Sequence, residues 1–341
     1  MSFPDYWTLI AKNPAVFFMS ILILGVIFVN GWTDAPNAIT TCVSTGALSL
    51  RRAALFAAVS NLLGILIMSA WGQRIALTIY DLAEFGSDRA QAALALSAAL
   101  FAIILWATLA CRFGLPTSES HALVAGLTGA SVAIHGSFSG IHGDQWKKIL
   151  LGLLFSALLG FLAGFFFSRR IARLHLSPTF LRRAQVFGAG AMAFMHGAQD
   201  GQKFMGVFLL GVTLCQGGTE ASFAVPFWLM LLCCVLMSLG TLLGGGRIVK
   251  TIGSDMVQLT PSQGFAADLG AAIALLPVSL FGMPVSTTHT KTTAILGAGV
   301  ARGAKKVNFS VVRNLLLAWT LTFPACGILS FLFVRFFLQF I

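Results

Sequence analysis

The sequence predicts an all-α polytopic membrane protein built from two inverted-topology repeats, each with an interrupted first helix and a re-entrant helical hairpin. An apolar composition, long uncharged runs and two motifs that each occur twice point to it. Of 341 residues, 57% are apolar and 10% charged, with a mean hydropathy of +0.88, values foreign to a soluble globular domain. Ile149 to Phe167 and Leu315 to Val334 carry no charge and reach the roughly 20 residues a helix needs to cross a bilayer. Ala53 to Trp71 and Val225 to Gly244 read as further spans. The first apolar run follows the mildly polar "MSFPDYWTLIAKNP". Without a basic leader and a small-residue cleavage site, it is expected to stay in the mature protein.

Repetition defines the domains. "NGWTDAPNAI" (Asn30 to Ile39) is echoed by "HGAQDGQKFM" (His196 to Met205), and "GLPTSESHAL" (Gly114 to Leu123) by "GMPVSTTHTK" (Gly282 to Lys291). Asp34 and Asp200 are 166 residues apart, and Pro116 and Pro284 are 168 apart. Two independent motif pairs with nearly one offset indicate tandem duplication. Residues 15–168 are expected to form the first transmembrane repeat, 169–183 a basic cytoplasmic linker, and 184–336 the second, inverted repeat.

Charge supports the inversion. If each tip pair is re-entrant, each copy crosses three times and the second copy is upside down. With both termini outside, the inner segments hold Arg51, Arg52, Arg169, Arg170, Arg173, Arg182, Arg183, Arg247, Lys250, Arg302, Lys305, Lys306 and Arg313 against the single acid Asp255. The outer segments balance Lys12, Arg74, Arg89, Lys147, Lys148 and Arg335 with Asp5, Asp81, Glu84, Asp88, Asp144 and Glu220. Thirteen basic residues inside against six outside is the positive-inside asymmetry. It accounts for much of the +11 net charge without a nucleic-acid partner. A threading in which Ala92 to Cys111 spans fully would put Arg169 to Arg183 outside, and is disfavoured. The six cysteines lack metal-ligand spacing and read as small packing residues.

Inverted repeats with interrupted helices are the architecture of secondary transporters, whose sites lie near the midplane between repeats. The ionisable groups at depth are Asp34, Glu119, Asp200, Asp268, Arg112, Lys203, Lys291, His121, His196 and His289. Each charged one costs several kcal/mol in hydrocarbon unless paired or hydrated. Interhelical ion pairs could account for any one of them, but not for the duplicated set. At the two tips a proline precedes Ser118, Glu119, Ser120 or Ser286, Thr287, Thr288, which open a helix. Unpaired N–H groups and hydroxyls there favour a small tetrahedral oxyanion, although hydroxyl capping alone would satisfy the helix ends. Asp34 and Asp200 sit where Gly31 or Gly197 is expected to interrupt the first helix. A carboxylate beside amide and hydroxyl oxygens suits a hard cation such as sodium, or can carry a proton. Coupled cation entry would let an anion move against an inside-negative potential.

The four motifs together resemble the inorganic phosphate transporter (PiT) family of cation-coupled phosphate permeases, and the resemblance spans essentially the whole chain. It implies alternating access around phosphate held between the hairpin tips. Substrate contacts then fall to Ser118, Ser120, Ser286, Thr287 and Thr288, with Gln199 and Lys203 beside them. Asp34, Asn37 and Asp200 are assigned to a coupling ion, Na+ or H+, and would be the metal ligands if it is sodium; Glu119 joins them. Thr33, His121, His196, Asp268, His289, Lys291 and Arg112 are secondary candidates. The resemblance further implies no other cofactor, a multi-pass protein of the cell membrane and a homodimer. Three departures from the family pattern stand out: Thr33 and Gln199 replace the Asn usual before each Asp, Lys203 occupies the place of Asn37, and Glu119 that of Thr287. They raise the expectation that the Asp34 half keeps a cation site while the Asp200 half is electrostatically modified, with coupling tilted towards protons. A serine hydrolase using Ser118 or Ser286 with His121 or His289 has no use for a duplicated triad, and no channel filter is visible. A permease for sulfate or arsenate is the main competitor.

Overall fold

The computed structural model describes residues 2–113, 117–216, 225–243 and 246–340, and these residues are almost entirely helical. The tip proline Pro116 and the outer acid Glu220 lie outside the described residues. The first half comprises α1 (Phe3–Lys12), α2 (Pro14–Thr33), α3 (Pro36–Ser44), α4 (Leu50–Trp71), α5 (Arg74–Tyr80), α6 (Arg89–Arg112), α7 (Glu119–His135) and α8 (Gly143–Arg173). The second comprises α9 (Pro178–His196), α10 (Gln202–Gln216), α11 (Phe227–Leu243), α12 (Gly246–Lys250), α13 (Pro261–Leu280), α14 (Thr287–Val300) and α15 (Phe309–Phe337). The basic stretch 169–183 is carried by the last turn of α8 and the first turns of α9. Six stretches among the described residues are long and apolar enough to cross a bilayer: Pro14–Ser44, Leu50–Trp71, Arg89–Arg112, Gly143–Arg173, Pro261–Leu280 and Phe309–Phe340.

Helix starts follow local chemistry. Asn13 accepts from the Ala15 N–H at 3.0 Å ahead of Pro14, and Asp88 accepts from Ala90 and Gln91 at 2.8 and 3.0 Å. Each cap satisfies donors that the first turn leaves without an intrahelical acceptor.

The halves share one element order: α2–α3 matches α9–α10, and α4, α6, α7 and α8 match α11, α13, α14 and α15. Even the irregular joints repeat. Ala83 bridges Ile141 before α8, and Val257 bridges Val307 before α15. In both halves the bridge closes a 3-10 turn, Phe138–Gly140 or Ala304–Lys306.

The first helices are interrupted in two different ways, and in neither half does the leading glycine act as the breaker. In the first half the chain turns at Asp34–Ala35, between α2 and α3, because Pro36 has no N–H to extend the helix. The matching residue in the second half, Gln202, has its N–H, and the helix passes through by widening into a π turn at Gly197–Gly201. Gly31 and Gly197 instead allow close crossings. A Cβ on Gly31 would lie 2.2 Å from the Met237 carbonyl oxygen of α11, and one on Gly197 would lie 2.2 Å from that of Asn61 in α4.

The same exchange of partners recurs at the long final helices. The buried face of α8 is Gly152, Ser156, Gly160, Gly164 and Ser168, and that of α15 includes Ala318, Thr322, Cys326, Ser330 and Val334. These are fourfold spacings, and each pair is 166 residues apart. Small residues four apart let helix backbones approach closely where lipid provides no hydrophobic drive. The α8 stripe receives α14 and the α15 stripe receives α7. Ser330 Oγ donates to the Gly126 carbonyl at 2.7 Å, and Ser168 Oγ to that of Ala298 at 3.3 Å. On the opposite faces, Leu150, Leu151, Leu154, Leu158, Leu317, Leu321 and Ile328 are exposed, an outer surface suited to lipid tails.

A Cβ at Gly129 of α7 or Gly164 of α8 would stand 2.1 Å from a facing backbone oxygen, whereas Gly143 has nothing within 4 Å. Gly129→Ala and Gly164→Ala should each lower stability by about 1–3 kcal/mol, the usual cost of overpacking, and Gly143→Ala should not. Thermal melting of the purified variants in detergent checks this.

Candidate functional site

The break after α2, the π turn before α10 and the N-termini of α7 and α14 meet inside the protein. The break brings Asn30, Thr33, Asp34 and Asn37; the π turn brings Gln199 and Asp200, with His196 before it and Lys203 after it. The two tips bring Ser118 to His121 and Ser286 to His289. Every one of these residues is buried.

Ser118 and Ser286 are N-caps, accepting from the His121 and His289 N–H groups at 3.3 and 3.1 Å. Capping consumes the third N–H of each helix. The first two, on Glu119 and Ser120 and on Thr287 and Thr288, have no intrahelical acceptor. Two positive helix ends therefore face one interior.

Around the first aspartate, Asn37 Nδ2 donates to Asp34 Oδ1 at 3.0 Å and to Thr288 Oγ1 at 2.7 Å, and the Thr288 hydroxyl donates to Asp34. The Thr33 hydroxyl bonds Glu119. Asn30 Oδ1, Asp34 Oδ2, Asn37 Oδ1 and Glu119 Oε2 are buried without a hydrogen-bond partner. Unmatched oxygen at this density is costly in a membrane interior unless a proton or cation joins it.

Around the second aspartate both carboxylate oxygens are matched, although His196 Nε2 is buried without a partner. Lys203 Nζ lies 2.6 Å from Asp200 Oδ1 and 2.6 Å from Ser120 Oγ, and also bonds the Val285 carbonyl. Asn30 Nδ2 donates to Asp200 Oδ2 at 3.2 Å. His196 Nδ1 is 3.3 Å from the same oxygen and 3.1 Å from Thr287 Oγ1. Gln199 Oε1 accepts from the Val285 N–H at 3.2 Å, while its amide nitrogen donates to Ser279 Oγ at 2.8 Å and to the Met283 carbonyl at 3.2 Å. Gln199 thus holds the second tip rather than pointing a free amide at the space between tips. His121 and His289 pack against each other with ring centroids 4.3 Å apart, and stack on Phe323 and Trp319 of α15.

Not every candidate joins this cluster. Arg112 is exposed at the end of α6. Asp268 and Lys291 form a separate buried ion pair one helical turn beyond Asn37 and Thr288. Thr41 Oγ1 sits 2.7 and 2.8 Å from the Asp268 oxygens, and Lys291 Nζ is 3.3 Å from Thr41 Oγ1 and 3.4 Å from the Ala38 carbonyl. Gln185, which sequence reasoning passed over, donates to the Thr41 carbonyl at 2.9 Å and accepts from Thr45 at 2.8 Å. At the repeat-related positions stand Leu100 and Leu123 of the first half, matching Asp268 and Lys291, and Val207 of the second, matching Thr41, all buried. Asn30 was also passed over as a site residue, although it occupies the motif position of His196, which was singled out.

The fold and this interior define a multi-pass helical membrane transporter: lipid-facing leucines outside, a duplicated polar constellation inside, and broken helices that end at it. The chain belongs to the Phosphate transporter family, whose profile matches residues 30–180 and 170–330. It is similar to a "Probable low-affinity inorganic phosphate transporter" of Rhizobium meliloti, 37% identical over 89% of this chain and 90% of the relative. A protein of the same description from Bacillus subtilis is 32% identical over 89% of this chain and 91% of the relative. A solved structure titled "The sodium-dependent phosphate transporter" shares the fold with a TM-score of 0.84 at 24% identity, covering 96% of this chain and all of that one. The protein is a phosphate transporter and not an enzyme.

Removing one partner of the Asp268–Lys291 pair strands the other charge. Lys291→Met alone should cost about 3–5 kcal/mol. Lys291→Met with Asp268→Leu, which recreates the apolar first-half version, should recover most of the melting temperature.

Proposed function

We propose that the protein imports inorganic phosphate across the cell membrane by symport with a cation, by alternating access around a site between the two hairpin tips. One observation carries this reading. Two helix N-termini with free N–H groups and hydroxyls converge on a cluster holding three carboxylates, Asp34, Glu119 and Asp200, and one ammonium, Lys203. The N–H groups of Glu119, Ser120, Thr287 and Thr288, with the hydroxyls of Thr287 and Thr288, supply the donors a tetrahedral oxyanion needs; the Ser120 hydroxyl is turned to the Val285 carbonyl at 3.2 Å. Donors alone would attract any such anion. The carboxylates discriminate, because monohydrogen phosphate can donate a hydrogen bond to a carboxylate and sulfate at neutral pH cannot.

The same carboxylates make a cation obligatory. An anion entering beside an excess of fixed negative charge in a dry interior is strongly repelled unless positive charge enters with it. The unpartnered oxygens of Asp34, Asn37, Asn30 and Glu119 are a fitting ligand set for sodium, and Asp34 or Glu119 could instead take a proton. Binding of the cation first would neutralise the pocket and free Thr288, now bonded to Asp34, to turn towards phosphate. On this reading the repeats are inverted and the hairpins re-entrant, so that both tips reach mid-depth from opposite sides. Rocking one repeat against the other would then open the site alternately to each face.

Radiolabelled phosphate uptake into proteoliposomes tests the assignment. An inward sodium or proton gradient should drive uptake, arsenate should compete and sulfate should not. Asp34→Asn should abolish the dependence on the driving cation. Efficient competition by sulfate would overturn the phosphate assignment.

A further inference from the structure

The two halves treat the same structural position differently. Lys203 occupies in the second motif the place of Asn37 in the first, 166 residues earlier. The ammonium is 1% exposed and has three oxygen ligands: the Asp200 carboxylate and the Ser120 hydroxyl, each at 2.6 Å, and the Val285 carbonyl. They come from three separate elements, the π turn and both hairpin tips. A carboxylate, a hydroxyl and a backbone carbonyl converging on one point are what a hard monovalent cation takes from a protein. An ammonium has three N–H donors, and all three are spent on protein oxygens. Lys203 therefore keeps no donor for phosphate in this arrangement. The shorter Asn37 offers its amide nitrogen to Asp34 and Thr288, leaving its own oxygen, the Asn30 oxygen and one carboxylate oxygen each of Asp34 and Glu119 without partners.

We propose that Lys203 is a tethered coupling cation: its ammonium permanently fills one of two repeat-related cation positions, so that only the Asp34 position takes up and releases a mobile cation in each cycle. The inference rests on the cation-coupled reading above and specifies its stoichiometry. A tethered charge neutralises Asp200 and ties both hairpin tips together without being exchanged. It supplies electrostatics for phosphate but none of the free energy of an ion gradient. The Asp34 pocket alone then connects transport to the driving ion. Lys203 is a specificity-determining residue, setting the number of driving ions rather than contacting the anion.

The test is the cation-to-phosphate ratio in proteoliposomes, read as the opposing phosphate gradient that nulls net flux at each imposed sodium or proton gradient. The wild type should show a ratio of one. Lys203→Asn, which copies the first half, should add a second mobile cation, and the sodium dependence of its uptake should steepen from a Hill slope of about 1 towards about 2, the limit set by the number of sites. Lys203→Met removes the charge without supplying an amide oxygen, and should weaken phosphate binding at least roughly tenfold, because the buried Asp200 carboxylate loses its counter-charge and repels the anion, with no rescue by sodium. The assignment is overturned by an unchanged ratio in Lys203→Asn, by a folded Lys203→Asn that transports at no sodium concentration, or by Lys203→Met with wild-type coupling. If neither variant folds, the wild-type ratio decides, since two mobile cations per phosphate contradict a filled position. A wild type coupled to neither sodium nor protons would instead bring down the symport reading itself.

Discussion

The constraint on which the structure depends is the cost of holding three carboxylates in a dry interior. Asp34, Glu119 and Asp200 lie within a protein whose outer helical faces are rich in leucine, isoleucine and phenylalanine. Water cannot serve as their counter-charge there, so the fold must bring compensation to them. It does so with two helix N-termini, the hydroxyls and amides of the broken helices, and one ammonium. The compensation is complete around Asp200 and incomplete around Asp34. That inequality is what the proposed cation site at Asp34 rests on.

Placing four chain ends at one point requires close helix packing, which the duplicated small-residue stripes allow. The final helix of each half receives the second hairpin arm of the other half, and the first helix of each half crosses the second helix of the other. Neither half could bury its polar motif alone. The hairpin tips are held from both sides, with α15 supplying Phe323 and Trp319 beneath the histidine pair and Gln199 bracing Val285. A small rotation between halves would disturb both tips together, which is what the proposed alternating access calls for.

Much of this was legible in the sequence because duplication leaves a record that composition does not. The class of fold, the helix starts after Ser118 and Ser286, and the meeting of the Asp motifs with the tips all follow from motif pairs at one offset. The manner of interruption was not legible. The glycines of "NGWTD" and "HGAQD" are the obvious breakers, yet Pro36 breaks one helix and Gln202 lets the other continue, while both glycines serve close packing. The role of Lys203 was half legible. Its place opposite Asn37 is visible in the sequence, but the saturation of its three donors depends on Val285, an apolar residue contributing only a carbonyl. Gln185 and Thr41 carry no motif and became visible only once α3, α9 and α13 were packed together. Arg112, a secondary candidate by its position beside an apolar run, lies at an exposed helix end outside the polar cluster.

The central claim is that the oxyanion sits between the hairpin tips above the carboxylate cluster, with a cation at Asp34. Arsenate, a phosphate surrogate with an anomalous signal, locates that position directly in crystals grown with sodium. The account predicts one arsenic peak within hydrogen-bond reach of the N–H groups of Ser120 and Thr288, with Lys203 still on Asp200 and sodium density on the Asp34 side alone. Arsenic bound away from both tips, or sodium displacing Lys203 from Asp200, would contradict it.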